Sequence, residues 1–471
     1  MFLYGLSHFC LRRAEAALTA AATLAAAPLC TMLIAGCGAS ITNPATLKSN
    51  SASVRIFNVA AFGALGNGVA DDAPAIQRAL QAASVSPGSL VYLPCGEFSL
   101  QSVAGAAPSS RSLLYIDAVS NLQIRGQGQC THIFTALPQK SVLEFEDSDY
   151  IVVSDMKISA LNASYIETYG MDGGSAIRFT GVNYGSISRV EVDGATAGAL
   201  YFTKGTSNSS MNNNFIHDTY GSGIWEDDCG SASATSCAPS TPPAHNDYQS
   251  NILTNTSLEM STAIALDDGG HSTYAVVKAN SITWTQPPVT GYESVFCIQI
   301  NNASDVNVAN NNCTSTPYDG IVITTGPGGQ SQRVTIQGNM IRSSGTPSVG
   351  GSGIAVYNGA QGNGITGFAI TGNTISTAID DGIFVEPVVA GSIYGGEIMN
   401  NSIYFADQGS PGTRFGINVV DSASMVIQSN TIACNGSCIA AGVHVRTSPF
   451  TDPGLSSNQV TDILGPPLLI Q

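Results

Sequence analysis

Short apolar segments recur along most of this chain, each opening on a small residue. Ala176-Ile177-Arg178-Phe179, Ala199-Leu200-Tyr201-Phe202, Gly223-Ile224-Trp225-Glu226 and Ala263-Ile264-Ala265-Leu266 begin the series. Cys297-Ile298-Gln299-Ile300, Gly320-Ile321-Val322-Ile323, Gly353-Ile354-Ala355-Val356 and Gly382-Ile383-Phe384-Val385 continue it, and Gly416-Ile417-Asn418-Val419 and Gly442-Val443-His444-Val445 end it. The period is roughly 23 to 40 residues, and a second marker keeps step with it: an asparagine followed two positions later by an apolar residue. Asn251/Leu253, Asn280/Ile282, Asn339/Ile341, Asn373/Ile375, Asn401/Ile403 and Asn430/Ile432 are examples. Repeats of short strands and turn asparagines, with no long amphipathic helix between them, predict a solenoid of about three strands per turn. Its coils stack about 4.8 Å apart, with apolar residues inside and asparagines able to bond up and down the stack.

The register predicts which side chains face water. In Gly223–Asp228, Ile224 and Glu226 point inward, Trp225 and Asp227 outward, and Asp228 begins the turn. The next coil sets Asp267 beside Asp227 and Asp268 beside Asp228; the preceding one sets Tyr201 beside Trp225, Thr203 beside Asp227 and Lys204 beside Asp228. Asn301 and Asn302 follow, and His271 lies three residues beyond Asp268.

Before the coils, Asp71-Asp72-Ala73-Pro74-Ala75-Ile76-Gln77 with Ala79 and Leu80 predicts a helix over 72–82, capped by Asp71 or Asp72 and covering the first coil. Phe62-Gly63-Ala64-Leu65-Gly66-Asn67-Gly68 and this helix together resemble the pattern Phe-Gly-Ala-x-Gly-x-Gly-x-x-Asp-Asp-x-x-Ala-Ile-Gln of pectate-lyase-like right-handed parallel β-helix proteins. That resemblance implies an all-β single-stranded parallel β-helix with an N-terminal capping helix. It implies a family of glycosidases, polysaccharide lyases, epimerases and binding proteins, without choosing among them.

Crowded carboxyls are costly unless used, because like charges raise a pKa and can set an acid beside a base. Asp227 and Asp267 are therefore the preferred catalytic pair, supported by Asp228 and Asp268. Tyr201, Trp225, Lys204, His271, Asn301 and Arg178 are the expected substrate contacts, the two aromatic rings as platforms for a sugar. The expected function is a glycoside hydrolase working on a polysaccharide or oligosaccharide with no required cofactor. Two alternatives stand beside it. In a calcium-dependent lyase or uronate epimerase, Asp227, Asp228, Asp267 and Asn301 would hold the ion, and Lys204 or Arg178 would take the proton. A surface carbohydrate-binding protein would dispense with the acids altogether. The insertion 229–249 and the loop 284–292 flank this column. A second acidic site comprises Asp319, Asp380, Asp381 and Glu386. Asp319-Gly320 and Asp380-Asp381-Gly382 look like fragments of polygalacturonase-type signals, although their coils are not adjacent and the accompanying His-Gly and Arg-x-Lys elements are missing. His444 reads as an ordinary exposed residue.

Composition narrows the partners. Seventeen basic against 33 acidic residues leave a net charge of −16, and no Lys/Arg cluster offsets it, which excludes a general nucleic-acid binder. Residues 1–37 read as a signal: Arg12 and Arg13 precede an alanine-rich stretch ending Leu33-Ile34-Ala35-Gly36-Cys37, which resembles a bacterial lipoprotein signal with Cys37 as the lipidated residue. An exported protein is expected, either anchored by lipid to the outer membrane or secreted. Residues 38–53 read as a linker and 54–471 as one β-helix. Export permits disulfides, and Cys95/Cys130, Cys229/Cys237, Cys297/Cys313 and Cys434/Cys438 are the expected pairs.

Overall fold

The structure is a computed structural model. It describes residues 54–471 except 105–111, 138–139, 161–173, 228–241, 259–261, 267–271, 289–294, 327–328, 348, 359–363, 406–413, 435–439, 447–453, 462, 464 and 471. The signal, Cys37 and the linker lie outside the described residues. Val54–Gln471 forms one compact unit.

The chain winds into a right-handed parallel β-helix built from three parallel sheets of 24, 13 and 3 strands. One coil runs from Leu200–Thr203 on the 13-stranded sheet to Ser210–Asn212 and then Phe215–His217, two short strands of the 24-stranded sheet separated by a bend. Every strand pairs with its counterpart one coil away. Ile177, Leu200, Ile224, Ile264, Ile298, Ile321, Ile354, Ile383, Ile417 and Val443 stand in register down one inner row. These side chains are buried in a single continuous core. Burial of such β-branched rows, at about 25 cal/mol per Å² of apolar surface, is the main favourable contribution to stacking.

The bend between the two short strands is held by an asparagine ladder. Along Asn214, Asn251, Asn280, Asn311, Asn339, Asn373, Asn401, Asn430 and Asn458, each Nδ2 but the last donates to the Oδ1 of the next asparagine at 2.8–3.0 Å. Each backbone N–H donates to the same oxygen, as Asn339 does to Asn373 at 2.9 Å. The spare Nδ2 proton goes to a strand carbonyl of the previous coil, Val308 for Asn339. Asn214, Asn311 and Asn458 also belong to the ladder, beyond the examples read from the sequence.

The capping helix runs Ala73–Ser84 and buries Ala75, Ile76, Ala79, Leu80 and Ala83. Asp72 occupies the N-cap position, but its carboxylate makes no capping bond. It accepts instead from the backbone N–H groups of Leu65 (2.7 Å) and Gly66 (3.1 Å), tying the glycine loop to the helix start. Asp71 accepts from Ala73 N at 3.2 Å and so does the capping work. Gly63 sits at φ 97°, a conformation its Cβ-free backbone makes cheap. Disulfides join Cys95 to Cys130 and Cys297 to Cys313. Cys434 is also disulfide-bonded, while Cys438, Cys229 and Cys237 lie outside the described residues.

Replacing a mid-ladder asparagine strands buried donors above it and an acceptor below. Asn339→Ala should lower unfolding free energy by roughly 2–4 kcal/mol in equilibrium denaturation. Asn312→Ala, at a half-buried position beside the ladder, should cost less by the same measurement.

Candidate active site

The register sets Tyr201 beside Arg178 on one side and Trp225 on the other, on the outer face of the 13-stranded sheet. The Arg178 guanidinium lies 4.8 Å from the Tyr201 ring centroid, and Trp225 stacks on that ring at 4.7 Å. All three are buried. Expected as exposed platforms, Tyr201 and Trp225 instead face each other, and both faces of Tyr201 are taken. Arg178 pairs with buried Glu144 at 3.6 Å, and Glu144 also accepts from Ser112 Oγ and, at 3.0 Å, from Thr180 Oγ1. Arg178 is thus enclosed between a buried carboxylate and an aromatic ring, at the centre of this network. Asp227 is buried as well; its two oxygens accept from Tyr201 Oη at 2.7 Å and Thr203 Oγ1 at 2.8 Å. Lys204 is exposed at the corner and lies 3.5 Å from Glu146, which accepts from Tyr115 Oη at 2.7 Å. Glu144 and Glu146, missed in the sequence reading, were visible there as the outward positions of Ser141–Glu146. Asp228, Asp267, Asp268 and His271 lie outside the described residues, as does most of the insertion 229–249. Asn301 pairs in register with Thr324.

Glu226 does point inward. It is buried in the coil interior, accepting from Asn246 Nδ2 at 2.6 Å and from Tyr248 Oη and Ser272 Oγ. Desolvation raises its pKa against these three donors.

The second acidic group is drawn together more closely than its chain positions suggest. Ile321, Ile354 and Ile383 are in register, so a single coil separates Asp319 from Asp381, and Ser352 fills the place between. Asp319 accepts from Ser352 N at 2.6 Å; Asp381 accepts from Phe415 N at 2.7 Å and Asn418 Nδ2 at 2.8 Å. Asp380 accepts from Gly351 N at 2.8 Å. Burial pushes Asp319 up to about 7, and the charges of Asp380 and Asp381 push the same way. Burial also pushes Asp381 up to about 7, with Asp380 adding to the shift and Arg414 opposing it. Phe296, Val322 and Ala355 form an apolar floor beside them, with Tyr318, Tyr357 and Phe384 packed against it. Glu386 is raised by desolvation, partly offset by Arg446, whose Nη2 is 3.9 Å away.

His444 is buried, not exposed: it stacks on Phe415 at 4.3 Å and its Nδ1 meets Asn418 Oδ1 at 2.8 Å. Because Asn418 gives its amide protons to Asp381, its oxygen must accept, which places a proton on His444 Nδ1. The strand pairing puts Asn418 beside His444, a link that a sequence separation of 26 hides.

Among the described residues, Asp193, His217 and Asp218 offer ligand atoms within 4.8 Å of one another. Calcium fits poorly there, because it seeks six to eight oxygens and the Lys157 ammonium stands 3.4 Å from Asp193. Both oxygens of Asp227 are engaged by hydroxyls, and its expected calcium partners Asp228 and Asp267 lie outside the described residues.

Residues 56–283 match a family described as rhamnogalacturonase A/epimerase, pectate lyase-like, and residues 296–465 match the right-handed β-helix region. The chain belongs to the pectate-lyase-like right-handed parallel β-helix superfamily. It is 47% identical to mannuronan C5-epimerase AlgE1 of Azotobacter vinelandii over 72 residues, 15% of this chain but only 5% of that protein's length. Rhamnogalacturonase A of Aspergillus aculeatus is 25% identical over 267 residues, 54% of this chain and 57% of its own. The catalytic unit of a GH87 α-1,3-glucanase from Streptomyces thermodiastaticus shares the fold, with a TM-score of 0.54 and 17% identity over 88% of this chain and 69% of that one.

In this β-helix the raised carboxyls make stability depend on pH. Between the ordinary carboxyl value of 3.8 and the folded value of about 7, the unfolded chain has released the Asp319 proton and the folded chain keeps it. Stability therefore falls as pH rises through that window, by an amount on the order of a few kcal/mol. Asp319→Asn should raise the melting temperature relative to the parent above pH 7, and the gain should vanish at about pH 4 in thermal melts across pH.

Proposed function

We propose that this β-helix is an enzyme of uronate-containing polysaccharides that moves the proton at C5 of a uronate unit, as an epimerase or a lyase. The observation that carries this reading is the pair Asp319 and Asp381, both pushed up to about 7. Near neutrality each is about half protonated, so one can take a proton while the other gives one. The ionised carboxylate removes the C5 proton, and the electron pair moves into the uronate carboxylate. In epimerisation, the protonated partner returns a proton to C5 from the opposite face. In elimination, the C4–O4 bond breaks instead, O4 takes the proton, and a C4=C5 double bond remains. Asn418 orients Asp381, and the apolar floor keeps the local dielectric low so that these charges act strongly.

The choice of uronate is supported by local identity to mannuronan C5-epimerases and to an alginate lyase, 44% over 72 residues in the last case. Hydrolysis is the second reading. The same acid–base pair suits it, and rhamnogalacturonase A is the relative matched over the longer stretch. Export is part of the reading, since Cys95–Cys130 and Cys297–Cys313 suit an oxidising compartment.

Incubation with mannuronan, polygalacturonate and a neutral glucan separates these outcomes. The expected result is solvent deuterium entering C5, or unsaturated uronate absorbance, with a rate profile peaking near pH 7. New reducing ends without that absorbance would establish hydrolysis. Asp319→Asn and Asp381→Asn should each lower kcat by about 100-fold or more. Full turnover in both variants would remove this pair from the mechanism.

A further inference from the structure

We propose that the exposed row Tyr150, Tyr184, Asn208, His245 and Tyr274 is a second polysaccharide-binding surface, one that holds the polymer against the solenoid and takes no part in turnover. The row occupies one corner of successive coils, two residues before Val152, Ser186, Ser210, Asp247 and Val276, which stand in register on the 24-stranded sheet. The backbone N–H of Tyr150 donates to Asn183 O, Tyr184 to Ser207 O, Asn208 to Ala244 O, and His245 to Thr273 O, each bond reaching the coil that follows. The corner requires left-handed backbone, with φ of 53°, 59°, 51°, 57° and 58° down the row. Glycine or asparagine meets that requirement most cheaply, and further along the stack Gly367 and Gly395 hold the same corner. The turn itself thus has no need of a ring.

Burial does not account for the rings either. Tyr150, Tyr184 and Tyr274 are 53%, 47% and 54% exposed. A large side chain held in a costly conformation and left in water points to a use outside the fold. The rings are also ordered against one another: Tyr150 and Tyr184 stack at 4.9 Å and 7°, His245 and Tyr274 at 4.8 Å and 6°. The result is a straight ridge that offers one ring edge or polar group per coil, a repeat close to the length of one pyranose in an extended chain. A linear, periodic ridge fits a linear, periodic ligand, and stacked rings lose little further entropy on binding it. The choice of polysaccharide as occupant rests on the reading in the preceding subsection.

The test is the triple variant Tyr150→Asn, Tyr184→Asn, Tyr274→Asn, which places at each site the residue already present at Asn208. Its melting temperature should match or exceed the parent's. In affinity electrophoresis through gels containing mannuronan or polygalacturonate, the parent should be retarded and the variant should lose tenfold or more in apparent affinity. Turnover of a short soluble oligouronate should be unchanged. Equal retardation of the two proteins overturns the ridge, as does free migration of the parent through a polymer that it turns over. A change in sedimentation between the two would make the ridge a contact between copies of the chain and overturn it as well. Retardation lost in the variant, with no turnover by the parent, would support the ridge while sinking the catalytic reading.

Discussion

From Asn214 to Asn458, the outward features of this protein depend on the asparagine ladder. Each rung fixes both the axial rise and the phase of its coil, because one amide must meet the next amide, a backbone N–H and a carbonyl at once. A slip of one residue would break all of these bonds and turn every flanking strand inside out. The apolar rows inside supply the larger favourable energy, but they are tolerant: isoleucine on valine packs nearly as well as isoleucine on isoleucine. The ladder is what makes a single register the best one, since a buried amide without partners is costly.

Once the register is set, residues tens of positions apart become neighbours on the outer face, and the two acidic groups meet different fates there. Glu144 gains an arginine and two hydroxyls; Asp227 gains a tyrosine and a threonine. These carboxylates are compensated, and the column around Tyr201 closes. Asp319 and Asp381 are buried to a similar depth, yet backbone N–H groups, an amide and the nearby charge of Asp380 are what surround them, with Arg414 giving partial relief to Asp381. Uncompensated burial holds their protons near neutrality, which is costly for stability and useful for proton transfer.

Much of the fold was legible because its constraints are local and repeated. Glycine or alanine at each strand start, asparagine at each bend and isoleucine two residues on all recur at visible spacing. The pairs Cys95–Cys130 and Cys297–Cys313 followed from the same coil geometry. The character of the site was less legible. Alternation places Tyr201 and Trp225 on the outer face, but whether an outer face is open depends on what covers it, and no periodicity carries that. His444 looked exposed for the same reason, while pairing and stacking bury it against Asn418 and Phe415. Asp72 stood where a cap belongs, yet a loop donor competed successfully for its carboxylate.

The sequence by itself therefore determined the solenoid and its register, since each follows from a short-range pattern repeated many times. The tertiary structure alone decided which acids are neutralised and which stay protonated. That outcome turns on desolvation and on partners brought in from other coils, and these exist only after the chain has wound.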